Sequence, residues 1–199
     1  MMDREEDQNQ AMQVAEPILV GLHNVLADSV GFYFGDAYTD KARAEHTDRA
    51  QANCIYSHAE KRMIGLAETT KGLHIINRRS LVVANYQDKG LFRFKKVKPN
   101  GKHSNYQTQQ QQDYDDQKTF PEFPPAAIRM TVGYELDESG MGVKRIMIAR
   151  PIGKTIFWTA QVVVDAGAAQ WEDITPRRFG LADGIDFDAD KVRERRRGR

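Results

Sequence analysis

The stretch LFRFKKVKPNGKHSNYQTQQQQ, residues 91–112, contains the residue types that most clearly suggest chemistry. It contains no carboxylate, and it carries five cationic side chains: Arg93, Lys95, Lys96, Lys98 and Lys102. His103 and Tyr106 follow among them, and the stretch ends in a run of glutamines. Cations beside aromatic and amide side chains are typical of surfaces that bind the phosphates and bases of nucleic acids.

Strand alternation separates these cations onto two faces. The predicted strand 91–97 places Lys96 on the face of its phenylalanines, and Arg93 and Lys95 on the other. Arg93 and Lys95 then lie roughly 7 Å apart, close to the spacing of successive phosphates. We therefore predict a nucleic-acid-binding surface made by six residues: Arg93, Lys95, Lys98, Lys102, His103 and Tyr106. An edge strand protected by charge against aggregation has the same pattern, so both interpretations stand.

The phenylalanine face of this strand supports a catalytic alternative. Metal-dependent phosphodiester hydrolysis uses carboxylates to hold a divalent metal, with a lysine beside the attacking water. The sequence offers Glu60, Asp88 and Lys96 for these roles, provided that the three side chains converge around one ion. A divalent metal is the cofactor only under this alternative, and the sequence names no other cofactor.

A third candidate site lies on the predicted helix 48–66. Its polar face carries Asn53 and Glu60, and His46 comes just before its N-terminus. An amide, a carboxylate and an imidazole can bind a small polar ligand, and this hypothesis predicts a pocket beside the helix. A solvated helix face with pairs at i and i+4 has the same pattern.

No metal site is predicted from the histidines and the single cysteine. Cys54 and His58 lie four residues apart on that helix, but a zinc site needs three or four ligands. We expect Cys54 to be a small buried hydrophobic residue. The sequence also lacks the motifs of nucleotide-binding loops and of hydrolase nucleophile elbows, which leaves enzymatic activity an open question.

The hydrophobic spacing predicts the elements that position these residues. Apolar residues at helical spacing predict helices at 16–30 and 48–66, the second capped by Thr47. Alternation with a period of two predicts six strands: 73–77, 80–86, 91–97, 128–137, 143–151 and 155–164. A further helix, 105–118, is predicted between the third and fourth strands.

These elements predict an α+β fold: two N-terminal helices, then a largely antiparallel six-stranded sheet with one inserted helix. Residues 13–167 form a single domain in this prediction. Residues 1–12 are predicted to be a disordered arm, and residues 168–199 a disordered tail that is first acidic and then basic.

The overall composition limits the class of protein. The chain has 199 residues, 40% of them hydrophobic, and a formal net charge of +1, so no global field attracts it to nucleic acid. A polar N-terminus and the lack of an apolar run of about 18 residues predict no signal peptide and no membrane span. A single cysteine excludes an intramolecular disulfide and favours a cytoplasmic location.

The predicted order of elements, α-β-β-β-α-β, resembles the core of the PD-(D/E)XK nucleases. That family places an acidic residue two positions before a lysine on its third strand. Here Phe94 stands two positions before Lys96. The resemblance therefore implies a degenerate site that need not be active.

The runs LFRFKKV, SNYQTQQ, RMTVGYELD and RIMIARPIGKTIFW look like an uncharacterised family of proteins from bacteria and their phages. This resemblance covers about residues 40–165 and implies a prokaryotic or phage origin. Genes of that family are associated with phage-type repressors and with the metallopeptidases that cleave them. The resemblance thus implies a regulatory or defence setting, and it carries no catalytic residues to transfer.

The leading prediction is a non-catalytic regulatory or interaction protein of a prokaryotic or phage control system. It binds a partner protein or nucleic acid through the basic strand and loop at 93–106 and through the basic C-terminal tail. The alternative is a metal-dependent phosphodiester hydrolase of the PD-(D/E)XK type that uses Glu60, Asp88 and Lys96.

Overall fold

A helical region at the N-terminus precedes a β-sheet, as the sequence predicts. The computed structural model describes residues 3–78, 81–103 and 108–176. The α-helices within these residues are α1 (Arg4–Ala15), α2 (Leu19–Phe32), α3 (Asp40–Ala44), α4 (Asp48–Thr69) and α5 (Gln109–Asp115). A 3₁₀ turn, Glu16–Ile18, joins α1 to α2, and a π-helical turn, Tyr33–Ala37, follows α2.

Helix α1 corrects the prediction of a disordered arm at residues 1–12. Asp3 caps its first turn. Asp7 on its buried face lies 2.8 Å from the Nε atom of Arg150 and accepts a hydrogen bond from the indole of Trp158. The polar composition suggested disorder, but this carboxylate is satisfied by side chains of two strands far away in the sequence.

Helix α4 agrees with its prediction. Thr47 caps the helix by accepting a hydrogen bond from the backbone of Ala50. The apolar stripe of α4 is buried in the core shared with α2 and the sheet: Ile55, Ala59 and Met63. The cap and the stripe fix the rotation of α4, and Tyr56 on its flank also packs against this core.

Within the described residues the sheet has seven strands rather than the six predicted. They are β1 (Leu73–Arg78), β2 (Leu81–Tyr86), β3 (Gly90–Lys96), β4 (Ile128–Leu136), β5 (Val143–Ile152), β6 (Thr155–Asp165) and β7 (Ala168–Asp173). They lie in this order across the sheet, and neighbours are antiparallel except for β3 and β4. Strand β7 corrects the prediction that the disordered tail begins at residue 168. Its own sequence does not indicate a strand, and the strand forms because β6 supplies the pairing. Residues 177–199 of that tail lie outside the described residues.

The parallel pair accounts for the inserted helix. Because β3 and β4 run in the same direction, the chain between them must cross one face of the sheet, and this crossover carries α5. The helix is shorter than the predicted 105–118, whose residues 105–107 are outside the described part. Tyr114 of α5 packs with Phe120, Phe123 and Leu91 on the face away from α2 and α4. Strand β3 is therefore covered on both faces.

One helical run within the described residues, Arg4–Ala37, is long and apolar enough to cross a membrane by length and composition alone. The sequence prediction contained no such segment, since it did not join α1 and α2 into one stretch. Core helices meet the same criterion, and the buried face of α2 in this run packs on α4 and on the sheet.

Candidate functional site

A cavity opens in the sheet where β2 and β3 separate. The two strands pair over three residues each, ending at Ala84↔Phe92. Beyond that point β2 pairs with β1, and β3 pairs with β4. The diverging halves, residues 81–82 and 93–96, border a cavity of about 180 Å³, which we call the β2–β3 cavity.

Helices on both faces of the sheet contribute to its walls. Helix α4 supplies Tyr56 and α5 supplies Gln111, while Tyr134 of β4 lines it from the neighbouring strand. Apolar wall area comes from residues such as Leu26 and Phe94. Apolar walls with a few converging polar groups are typical of sites that bind small molecules.

The β2–β3 cavity carries positive charge. Arg93, Lys95 and Lys96 line it, and no carboxylate of the described residues does. Burial and the neighbouring guanidinium of Arg93 lower the pKa of Lys95 to about 8, against an opposing effect of Asp115. The Nζ atom of Lys96 donates a hydrogen bond to Gln51 of α4 over 3.2 Å. Arg93 is ion-paired with Asp115, whereas Lys95 and Lys96 have no ion-pair partner within the described residues. Cations without a partner in a confined space favour an anionic ligand.

Arg93 is held in place by the protein itself. Its side chain is 1% exposed. Its Nε donates to the hydroxyl of Thr131 at 2.9 Å, and its Nη2 donates to Asp115 at 2.5 Å. The guanidinium also lies over the ring of Tyr114, 4.7 Å from the centroid. A guanidinium fixed in this way can donate its remaining N–H groups to a ligand, and its side chain loses little further entropy when the ligand binds.

Three buried polar atoms of residues that line the cavity have no hydrogen-bond partner within the part of the chain that the structure describes. They are Arg93 Nη1, Tyr134 Oη and Gln111 Oε1. Arg93 and Tyr134 are only 1% and 2% exposed. An unpaired buried polar group costs about 1–3 kcal/mol, so a polar ligand that pairs with these atoms relieves a real cost.

Two members of the predicted nucleic-acid surface lie inside the protein. Arg93 and His103 both contact Asp115, at 2.5 and 3.3 Å. The alternation prediction for β3 is confirmed, because Phe92 and Phe94 face the helices and Arg93 faces the other way. The other face is not solvated, however, because α5 covers it. Arg93 and His103 are therefore not available to a polyanion in solution.

The remaining members of that predicted surface that the structure describes lie in two separate places. Lys95 lines the β2–β3 cavity. Lys98 and Lys102 are exposed at the turn that follows β3. Gly101 allows this turn, since its φ is +78° and a side chain there would contact Thr159. Tyr106 lies outside the described residues.

The three residues of the predicted nuclease site do not converge. Asp88 lies in the turn before β3, where it accepts a hydrogen bond from Asn85, and Lys96 ends that strand. Strand rise separates the two by at least roughly 20 Å. Glu60 lies on the same side of the sheet as Lys96. However, Lys96 contacts Gln51, which precedes Glu60 by about 13 Å along α4.

One of the three ligand candidates near α4 lines the cavity. This residue is Asn53. His46 instead lies 2.7 Å from the hydroxyl of Tyr33. Glu60 is beside Tyr56, and burial, with a smaller effect of Glu60, raises the pKa of Tyr56 to about 12. A pocket does lie beside this helix, but most of its polar groups come from the sheet.

Metal ligands are not grouped in the described residues: they contain no cluster of three or more His, Cys, Asp or Glu side chains that could hold an ion. Cys54 is partly buried and packs against the core on the helix side of the sheet. His58 is 4.8 Å from the ring of Phe32 in an edge-to-face arrangement.

Sequence reasoning missed Tyr134, Gln111 and Asp115. Tyr134 has the pattern of a core residue in an alternating strand, and Gln111 is one of several equivalent glutamines. Asp115 did carry a signal. An acidic residue at the C-terminal end of a helix is unfavourable toward the helix dipole, so its presence at the end of α5 indicates a specific partner, which is Arg93.

Comparison with protein-family models, with curated proteins and with solved structures found no match.

Proposed function

We propose that this chain is a non-catalytic regulatory protein that binds a small anionic molecule in the β2–β3 cavity. The observation that supports this most directly is the pair of buried, unpartnered donors, Arg93 Nη1 and Tyr134 Oη, among the residues that line a positively charged space. A carboxylate or a phosphate accepts hydrogen bonds from both kinds of donor and offsets the charge of the cavity.

The size and the walls limit the ligand further. A volume of about 180 Å³ corresponds to about six water molecules in the liquid, so the ligand is a small metabolite and not a polymer. The apolar part of the wall, near Leu26 and Phe94, suits a short hydrocarbon portion. Gln111 Oε1 is an acceptor without a partner in the described residues, and it suits a hydroxyl of the ligand.

Isothermal titration calorimetry on the full chain tests this proposal with L-lactate, butyrate and inorganic phosphate as probes. We expect saturable binding of at least one probe, and a loss of about tenfold in affinity in Tyr134→Phe, because one buried hydrogen bond to an anion is removed. Tyr86→Phe is the matched control, since Tyr86 is a buried tyrosine at the paired end of β2.

Two results would contradict the proposal. One is the absence of binding for all three probes. The other is an equal loss of affinity in Tyr134→Phe and Tyr86→Phe, which would place the ligand elsewhere.

The regulatory setting and a nucleic-acid or protein partner remain predictions from the sequence. Within the described residues, the basic surface is reduced to Lys98 and Lys102 of the predicted set. The nuclease alternative has no supporting observation, since Asp88 and Lys96 are at opposite ends of β3.

A further inference from the structure

We propose that Lys95 is a reversible covalent attachment site for small 2-oxo acids. In this proposal Arg93 holds the carboxylate, and the amine of Lys95 forms an imine with the adjacent carbonyl carbon. The inference rests on the proposed function and narrows the class of its ligand.

The first argument is the placement of the two cations. Arg93 and Lys95 are on the same face of β3, two residues apart, so their Cα atoms are separated by roughly 7 Å. Both side chains line the β2–β3 cavity. A 2-oxo acid carries its carboxylate and its carbonyl on adjacent carbons. The guanidinium of Arg93 lies against α5, and the amine of Lys95 lies near Tyr56 of α4. An acid in the gap between β2 and β3, with its carboxylate at Arg93, then places its carbonyl on the side of that amine.

The second argument is the state of that amine. A lysine attacks a carbonyl only when it is unprotonated, and burial beside another cation is one way in which proteins achieve this. Lys95 is in that situation: burial and Arg93 lower its pKa to about 8. Its Nζ lies 5.7 Å from the ring centroid of Tyr56. Asp115, which opposes the shift, is itself paired with Arg93.

Other lysines of this region differ from Lys95. Lys96 also lines the cavity, but its amine donates a hydrogen bond to Gln51 over 3.2 Å, whereas the amine of Lys95 has no hydrogen-bond acceptor within the described residues. Lys98 and Lys102 are exposed and are not among the residues that line the cavity. Lys95 is therefore the lysine of this strand and turn that both lines the cavity and has a pKa, lowered to about 8 by burial and Arg93, that makes its amine nucleophilic near neutral pH.

The reaction balances without any other reactant. The nitrogen lone pair of Lys95 forms a bond to the carbonyl carbon, and the C=O π electrons move to oxygen. Transfer of a proton from nitrogen to oxygen gives a carbinolamine. Loss of its hydroxyl together with the remaining nitrogen proton gives the C=N bond and one water, with no oxidation or reduction.

Reductive trapping of the full chain with pyruvate and sodium cyanoborohydride at pH 8, followed by peptide mapping, tests the proposal. We expect one dominant N-carboxyethyl-lysine at residue 95, formed at least tenfold faster than at any other lysine. Lys95→Arg keeps the charge and abolishes this adduct, whereas Lys98→Arg, an exposed lysine, leaves it unchanged. L-Lactate, which lacks the carbonyl, slows trapping by competition.

The outcomes separate this inference from the proposed function. Labelling that spreads evenly over the lysines, or that persists in Lys95→Arg, overturns imine formation. If L-lactate binds by calorimetry but pyruvate is not trapped, the imine fails and the anion site stands. If neither binds nor reacts, both fail. The map of labelled residues in the unmodified sequence decides the question even if Lys95→Arg does not fold.

Discussion

The hydroxyl of Tyr134 shows how one buried atom can be costly for folding and useful for binding. Removal of an unpartnered buried hydroxyl is expected to be neutral or stabilising, whereas removal of a paired one is not. Tyr134→Phe should therefore raise the free energy of unfolding by up to about 1 kcal/mol without ligand. Urea denaturation measures this change.

A second tyrosine provides the contrast at the same scale. The hydroxyl of Tyr114 donates toward the carbonyl oxygens of Leu91 and Met130, both at 2.9 Å. Tyr114→Phe should lower the free energy of unfolding by about 1–2 kcal/mol, since those carbonyls lose their partner. Equal effects of the two substitutions would show that the hydroxyl of Tyr134 is satisfied.

The burial of Lys95 predicts how the stability of the protein depends on pH. Its pKa falls from the ordinary 10.5 to about 8 in the folded protein, so the unfolded chain binds more protons between these two values. Stability therefore rises with pH across this window, and the full cost of burying the cation is present below pH 8. Lys95→Met should stabilise the protein by up to about 3 kcal/mol at pH 7, and by progressively less as the pH approaches 10. A gain that does not depend on pH, in denaturation curves at several pH values, would contradict this explanation.

At the scale of the element, α1 is the part of the chain that composition predicted least well. Its attachment depends on Asp7, which contacts Arg150 and Trp158, and on Gln8, which donates to Asp173 and to the backbone of Thr159. These contacts join residues that are far apart in the sequence, so no local sequence pattern predicts them.

Asp7→Asn tests the importance of this attachment. The substitution leaves Arg150 partly buried without its ion-pair partner, and we expect a loss of about 3 kcal/mol in the free energy of unfolding. Glu6→Gln is the control, because Glu6 is an exposed carboxylate on the same helix. Urea denaturation again provides the measurement. Similar losses for both variants would indicate a general charge effect and not a specific contact.

At the scale of the whole molecule, the charge is distributed in separate blocks. Of the predicted basic surface, Lys98 and Lys102 are exposed, while the C-terminal run KVRERRRGR holds six cations and one carboxylate. Any binding to duplex DNA should therefore depend more on the C-terminal run than on the turn after β3.

Binding of a short DNA duplex to the full chain at several salt concentrations checks this. We expect the salt slope to fall by about three when Arg195, Arg196 and Arg197 are changed to Gln, and by less than about two in the Lys98→Ala, Lys102→Ala double variant. A larger effect of the lysine pair would restore the basic turn as the main contact surface.

The sequence by itself determined the local elements. Thr47 and the stripe of Ile55, Ala59 and Met63 predicted α4, and alternation predicted β1 to β6 and the two faces of β3, because these signals come from neighbouring residues. The tertiary structure decided what covers each face. Nothing near Arg93 indicates that Asp115 and Thr131 hold it, or that β2 leaves β3 at Ala84 to open a cavity. These features arise from pairing between segments that are distant in the sequence. As a result Arg93 and Lys95, predicted to bind a polyanion on the surface, line a small internal cavity instead.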